Sequence, residues 1–234
     1  MGAVLESTAQ RPARTPGPYP AVMTRPRSPY ALDDPAEILR IVRETPWATF
    51  VSQTSTGLRM TQYPVLLDQA GGRFILRSHF CGPDVTEFEL GRHELLAIVH
   101  GPNGYISPSW YPEGQAIPTW DFVTVQLRGV PEIVSADENF AVLQRMVDQF
   151  EAPVEQPRTL EGTEANRRVA ALGTTGIRMP VTAWTARAKL SQNKPPAVLQ
   201  RIRAELGGDG PYANPRLVRE MECVAGESGA PAAD

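Results

Sequence analysis

The sequence is poor in the features on which several protein classes depend. Its 234 residues include two cysteines, Cys81 and Cys223, too few for the disulfide framework of a small secreted domain. No apolar run reaches the roughly 18 residues of a membrane span, and the N-terminus lacks the apolar stretch of a secretory signal. The net charge of -3 excludes a strong overall field that would attract nucleic acid. These absences predict a soluble cytoplasmic protein without a nucleic-acid partner.

The chain divides into one central region between two tails. Residues 1–29 contain six prolines and little apolar periodicity, which predicts a flexible tail. Residues 226–234 are rich in Gly, Ala, Ser and Pro and predict a second flexible tail. Since no linker or repeat divides residues 30–225, we expect a single domain there.

Short strands dominate the pattern of the central region. Asp34, Pro35 and Glu37 predict a capping box at a first helix, and Ser135 with Glu138 predicts another. Turns are expected at residues 55–57 and 70–72, and C-terminal helices at 198–206 and 215–221. Strands are expected at residues 47–53, 58–68, 73–80, 95–100, 119–127, 130–134 and 181–189, the fifth and sixth as a pair. This pattern predicts a mainly β fold with added helices (α+β), built on a small antiparallel barrel.

Residues 101–112 are too dense in Gly and Pro to be one regular element, and they include Tyr105, Ser109 and Trp110. Loops of this kind at a barrel rim often shape a ligand pocket. The plainer interpretation, which stays open, is a packed aromatic corner.

Two further segments concentrate polar groups. In residues 117–122, Asp121 follows Trp120 at the entrance of a strand, where it could hold an amine or act as a base. Residues 189–194 begin with Lys189 and offer amides and a hydroxyl for an anion or a carboxylate. The alternatives are a solvent-facing turn carboxylate and a solvated strand end.

Together the three segments resemble the PaiB-like family, named for FMN-binding negative transcriptional regulators. The family pattern reads G-P-x-x-Y-I-S-P-x-W-Y, then P-T-W-N-Y, then K-L-S-Q-N. All three motifs occur here in order, the second with Asp121 and Phe122 in place of Asn and Tyr. Weaker similarity extends over residues 30–206. The resemblance implies a split β-barrel that works as a homodimer, with its cofactor near the subunit interface.

The region that corresponds to the family's cofactor motifs departs from them. The family's T-H-L-P-L-L-L reads T-Q-Y-P-V-L-L at residues 61–67, and its V-H-x-x-G reads V-Q-L-R-G at residues 125–129. Its G-H-x-A-R-A-N-P reads S-H-F-C-G-P-D at residues 78–84, without the Arg and the Asn and with Asp84 nearby. A flavin phosphate needs donors or cations, so these departures argue against FMN. His79 is retained.

The loss of these residues beside a retained histidine resembles the haem-dependent piperazate synthases of this family. That resemblance implies haem b and the dehydrative cyclisation of N5-hydroxy-L-ornithine to L-piperazic acid, which forms an N–N bond. Iron would act as a Lewis acid on the N–O group, while the α-amine is held close enough to displace the oxygen. The alternatives are an FMN-binding regulator or flavin reductase, and a haem-degrading or haem-storage protein.

The resemblance also implies a metal ligand. We expect His79 to be the axial ligand of the haem, because His93 is expected in a surface loop and His100 at a strand end. Cys81 is a thiolate alternative, although a redox-neutral reaction does not need its electron donation.

Eight further residues receive expected roles in this interpretation. Asp121 would attract the substrate ammonium group or accept its proton, and Lys189 would pair with the carboxylate. Tyr105 and Ser109 would donate to the departing oxygen. Neutral contacts at the cofactor site are expected from Trp110, Trp120, Gln192 and Asn193. The alternative is that Asp121 and Lys189 only tie strands together.

Overall fold

The structure is a computed structural model that describes residues 28–112 and 117–225. The tails predicted at residues 1–29 and 226–234 lie outside the described residues, except for Ser28 and Pro29. In the described part, the strands are β1 Trp47–Thr54, β2 Gly57–Ala70, β3 Arg73–Cys81, β4 Leu95–Ile106, β5 Thr119–Gly129, β6 Glu132–Ile133, β7 Thr174–Pro180 and β8 Ala183–Lys189. The helices are α1 Pro35–Glu44, α2 Asp84–Glu87, α3 Ala136–Glu151, α4 Glu164–Gly173, α5 Pro196–Gly207 and α6 Pro215–Ala225, with a 3-10 turn at Pro108–Trp110.

The eight described strands form one antiparallel sheet that curls into a half-barrel. Their order is β6-β7-β3-β2-β1-β4-β5-β8, so β7 and β8 lie towards opposite edges although they are consecutive in the chain. The short link between them is possible only because the two edges approach each other. Its Val181 N–H donates to Phe74 O at 2.9 Å, and its Thr182 N–H donates to Arg128 O at 2.8 Å. The predicted fold class, a mainly β split barrel with added helices, is confirmed.

Strand alternation fills the core from one face of the sheet. Phe50, Val99 and Val125 are fully buried, while their chain neighbours are less so. α1 packs its apolar face on β2, β4 and β5. The Asp34 carboxylate accepts from Ala36 N–H at 2.9 Å and so caps this helix as predicted. The Glu37 carboxylate accepts from Arg40 instead of completing the predicted box.

Three sequence predictions about the strands were wrong. β4 does not end at residue 100 but continues to Ile106, with a register shift between His100 and Asn103 that absorbs the Gly-Pro pair. β5 and β6 are not partners, since β5 pairs with β4 and β8, and β6 pairs with β7. The single strand predicted at 181–189 begins at Ala183, and β7 precedes the barrel-closing link.

Gly129, at the end of β5, is required by the close approach that closes the barrel. A Cβ there would lie 2.3 Å from Pro180 O and 2.9 Å from Met179 Cγ. We expect Gly129→Ala to lower the free energy of unfolding by about 2–3 kcal/mol, because the backbone at residue 129 and the backbone at Pro180 would have to move apart. Gly173→Ala, at a position with nothing within 4 Å, is the control and should change it by less than about 1 kcal/mol. Equal urea midpoints for the two variants would contradict this account of the closure.

Candidate functional site

A buried carboxylate lies where β5 begins, next to the turn that follows β8. Asp121 is fully buried, and its Oδ2 accepts from the Ser191 hydroxyl at 2.5 Å. Its Oδ1 has no hydrogen-bond partner among the described residues and lies 3.7 Å from Lys189 Nζ. Burial raises the pKa of Asp121, although the Ser191 hydrogen bond and the Lys189 charge act to lower it. The carboxylate therefore has one oxygen, Oδ1, that is ion-paired with Lys189 but accepts no hydrogen bond from the described residues.

Asp121 lines a small pocket of about 210 Å³, which we call the polar pocket because most of its lining residues carry a polar group. The nine residues around it are Tyr30, Ile117, Pro118, Thr119, Asp121, Lys189, Ser191, Asn193 and Lys194. Tyr30 reaches the pocket because the chain before α1 pairs with β8, where Ala188 N–H donates to Tyr30 O at 2.9 Å. A cavity of this size suits a small polar ligand rather than a whole flavin or haem.

The turn after β8 gives the pocket its shape. Ser191 has a φ of 59°, in the left-handed region that non-glycine residues seldom adopt. Gln192 closes this turn, since its Oε1 accepts from Leu190 N–H at 2.7 Å and its amide nitrogen donates to Ala188 O. The Gln192 side chain thus binds backbone groups of the same turn, whereas Asn193 lines the pocket.

A second, aromatic cleft of about 520 Å³ lies beside β4, β5 and the loop before α6. Tyr105 packs against Trp120 and Tyr212, with ring centroids 6.1 and 5.1 Å away. Trp110 is buried behind Tyr212, and Ser109 is exposed and lines neither cavity.

The predicted catalytic residues are not in one cavity: Asp121 and Lys189 line the polar pocket, Tyr105 lines the aromatic cleft, and Ser109 lines neither. Consecutive residues of a strand point to opposite faces, so the exposed Trp120 and the buried Asp121 serve different cavities. Tyr105 lies opposite Trp120 in the β4–β5 register and shares its cleft, while Asp121 lies opposite Gly104. Asp121 and Lys189 lie close together, as both the substrate-binding prediction and the strand-tying alternative allow, but Tyr105 and Ser109 are not placed with them.

His79 lies on β3, opposite Gly176 of β7. Its half-buried ring packs 5.9 Å from Tyr63, and its Nδ1 is buried without a hydrogen-bond partner among the described residues. Burial lowers the pKa of His79, so the imidazole is neutral at neutral pH, as a metal ligand must be. By contrast, His93 pairs with Glu89, and His100 is exposed on β4.

Sequence reasoning missed a hydrogen-bonded group beside His79. The Asp84 carboxylate accepts from Thr61 Oγ1 at 2.6 Å and from the Tyr63 hydroxyl at 2.8 Å, and that hydroxyl accepts from Cys81 N–H at 3.0 Å. Tyr63 and Asp84 both stand where the sequence departs from the family pattern. That both positions differ from the family pattern was the one sign in the sequence that Tyr63 and Asp84 interact.

The two halves of the predicted site lie on different parts of the barrel. β2, β1 and β4 separate β3, which carries His79, from β5, which carries Asp121. This separation corresponds to roughly 20 Å along the sheet. Strand pairing within one chain therefore does not place His79 beside Asp121.

Other features of the described part limit the kinds of site available. Within residues 28–112 and 117–225, no group of three or more His, Cys, Asp or Glu side chains could hold a bare metal ion. A haem needs a single imidazole rather than such a group.

In the same residues, no helix is both long and apolar enough to cross a membrane.

The strand order and the closure define a split-barrel protein. The family described as "Putative FMN-binding domain" matches residues 25–183, and the chain belongs to this family. The chain is also 27% identical over 161 residues to the Protease synthase and sporulation protein PAI 2 of Bacillus subtilis, covering 68% of this chain and 77% of that protein. The relationship to the PaiB-like proteins is thereby confirmed.

Two solved structures share the fold at low sequence identity. The flavocytochrome Anf3 of Azotobacter vinelandii is 15% identical with a TM-score of 0.51, and the match covers 68% of this chain and 69% of that one. The FAD and haem binding protein of Mycobacterium smegmatis is 13% identical with a TM-score of 0.53, covering 78% and 82%. These similarities show the fold alone.

Proposed function

We propose that this protein is a haem-dependent piperazate synthase, which converts N5-hydroxy-L-ornithine to L-piperazic acid. In this reaction the α-nitrogen bonds to N5, the N–O bond breaks and the oxygen leaves as water, so no reductant is consumed. The observation that carries the proposal is the buried Asp121 carboxylate, which has one oxygen without a hydrogen bond in the described part of the chain and lines a pocket sized for an amino-acid head group. It could accept the proton that the α-amine must lose.

His79 is the residue that we propose would hold the haem, because burial lowers the pKa of its imidazole and so favours the neutral form that binds a metal. Its Nδ1 is buried, so the other ring nitrogen would have to face the iron. The packing of Tyr63 against this ring would fix its orientation. When bound, haem iron supplies Lewis acidity towards the N–O group. Two fold neighbours are named as a flavocytochrome and as a FAD and haem binding protein, which supports a haem site on this fold.

Because His79 and Asp121 lie far apart within one chain, the proposed reaction requires the haem of one subunit to meet the Asp121 pocket of the other in a homodimer. The chain's own groups would then position the substrate for ring closure. Ionised Asp121 would hold the α-ammonium of the substrate and then accept its proton. Lys189 would keep the carboxylate of Asp121 charged and in place. Tyr105 and Ser109 stay predictions as donors to the departing oxygen, and neither lines the polar pocket of its own chain.

The second candidate is an FMN-binding regulator or flavin reductase, which membership of the FMN-binding-domain family favours. The absorption spectrum of the purified protein separates the candidates. Haem gives a sharp Soret band, whereas flavin gives two broad bands and a yellow colour. A flavin spectrum with no haem uptake on reconstitution would contradict the haem proposal.

We further propose that the protein is a homodimer whose subunits meet on the outer face of β1, β2 and β4. Val51, Met60 and Leu96 lie in one register row on that face, because the alternate residues of these strands are buried in the core. Met60 and Leu58 are 70% and 68% exposed in the single chain. An apolar stripe of this kind is typical of a subunit interface.

Met60→Asp is expected to shift the dimer to monomer mass at micromolar concentration, because a charge would be buried in an apolar contact. Light scattering measures the mass. The matched control is Leu172→Asp on α4, which is 81% exposed and should leave the dimer intact. A wild-type monomer that retains bound haem would contradict the proposed interface.

A further inference from the structure

We propose that the polar pocket is a subsite for the zwitterionic head group of an α-amino acid, in which Asp121 takes the ammonium and Lys194 takes the carboxylate. This assignment deepens the proposed function and rests on it. It replaces Lys189, the carboxylate partner expected from the sequence, with a residue that the sequence analysis had not selected.

The anionic half of the subsite is Asp121 Oδ1. One oxygen of this carboxylate is held by Ser191, but Oδ1 is buried with no hydrogen-bond donor among the described residues. A buried acceptor without a partner is costly, and native proteins seldom leave one unless a ligand or water completes it. Since Asp121 lines the pocket, an ammonium group bound there would supply the missing donor.

Lys189 is poorly placed to bind a ligand carboxylate. Its ammonium donates to Trp120 O at 2.6 Å and to the Thr119 hydroxyl, and it lies 3.7 Å from Asp121 Oδ1. The hydrogen bonds use two of the three donors of this ammonium, and its charge is already paired with Asp121, so it is less available to a ligand carboxylate than an unpaired cation. We assign Lys189 as a positioning residue that holds the start of β5 and keeps Asp121 ionised.

Lys194 is the cation that the pocket leaves available. Its ammonium lies 4.7 Å from the centre of the Tyr111 ring, and it forms no ion pair within the described residues. The turn at Ser191 brings it there, since Lys194 N–H donates to Ser191 O at 2.9 Å. An aromatic face orients a cation without neutralising it, so the charge remains free for an anionic group.

Tyr111 links the two halves of the subsite. Its ring is buried beneath Lys194, and its hydroxyl has no hydrogen-bond partner in the described part of the chain. Burial, and then the negative charge of Asp121, raise the pKa of this hydroxyl. The pocket therefore combines the carboxylate of Asp121, whose Oδ1 accepts no hydrogen bond from any described residue, with the ammonium of Lys194, and these two groups complement an ammonium and a carboxylate on one small molecule.

Calorimetry with the full-length protein tests this subsite without turnover. L-ornithine serves as the probe because it has the head group but no N–O bond, and 1,4-diaminobutane is the matched ligand without a carboxylate. We expect Lys194→Met to weaken L-ornithine binding by roughly tenfold or more. The affinity for 1,4-diaminobutane should change by less than about twofold, since this ligand has no carboxylate to pair with Lys194. Asp121→Asn should weaken both ligands.

Lys194→Arg keeps the charge and the ring contact, and it should restore most L-ornithine affinity. No L-ornithine binding by the wild type, or equal L-ornithine affinity in wild type and Lys194→Met, would overturn the subsite. An equal loss for both ligands in Lys194→Met would also overturn it. If L-ornithine binds as expected but N5-hydroxy-L-ornithine is not converted, the subsite stands and the proposed function fails. If conversion occurs with an unchanged KM in Lys194→Met, the function stands and the subsite fails.

Discussion

Asp121→Asn is expected to lower kcat/KM for N5-hydroxy-L-ornithine by roughly 100-fold or more, the usual effect of losing a general base. The change keeps the volume of the side chain, and the amide oxygen can still accept from Ser191. Folding and haem content should therefore be preserved, and the haem content is checked from the Soret band. The loss should appear mainly in kcat if Asp121 accepts the proton, and in KM if it only anchors the ammonium.

The pH dependence of the reaction provides a second readout of Asp121. Burial raises the pKa of this carboxyl group, and only its ionised form can accept a proton. Activity should therefore fall as the pH drops, and the midpoint of this fall should lie above the pKa of an ordinary aspartate. In Asp121→Asn this acidic part of the pH profile should be absent. Asp137→Asn, at an exposed carboxylate on α3, is the control and should keep wild-type kinetics. Wild-type kinetics in Asp121→Asn would remove the residue from the mechanism.

His79→Ala should abolish the Soret band of the reconstituted protein, because it removes the neutral imidazole that we propose as the axial ligand. His93→Ala and His100→Ala are matched controls, since one ring pairs with Glu89 and the other is exposed. Both should retain haem in stoichiometric amount. Unchanged haem content in His79→Ala, with an unchanged band position, would exclude His79 as the ligand and direct attention to Cys81.

Local signals predicted the elements of this fold better than their arrangement. Asp34 and Ser135 mark helix starts because a cap acts on amides only two or three residues away. The pairing of β6 with β7, and the closure by Val181 and Thr182, depend on contacts between residues far apart in sequence. Periodicity carries no information about such contacts, so β5 and β6 were expected to pair with each other.

The candidate site shows the same limit. The motif residues Asp121 and Lys189 lie together because β5 and β8 are neighbouring strands, and their substrate-binding roles stay predictions. Tyr105 was expected beside them, but the β4–β5 register places it with Trp120 on the other side of β5. The position of Lys194 over the Tyr111 ring was not predicted, because it depends on the left-handed conformation of Ser191, which no residue pattern indicates.

The most direct test of the haem-dependent cyclase is product analysis after incubating the full-length protein with N5-hydroxy-L-ornithine, with and without haem reconstitution and with no added reductant. Mass spectrometry identifies the product. The account predicts L-piperazic acid, one water lighter than the substrate, from the haem-loaded protein and none from the haem-free protein. Stoichiometric haem loading without any L-piperazic acid, or equal product from the haem-free protein, would contradict it.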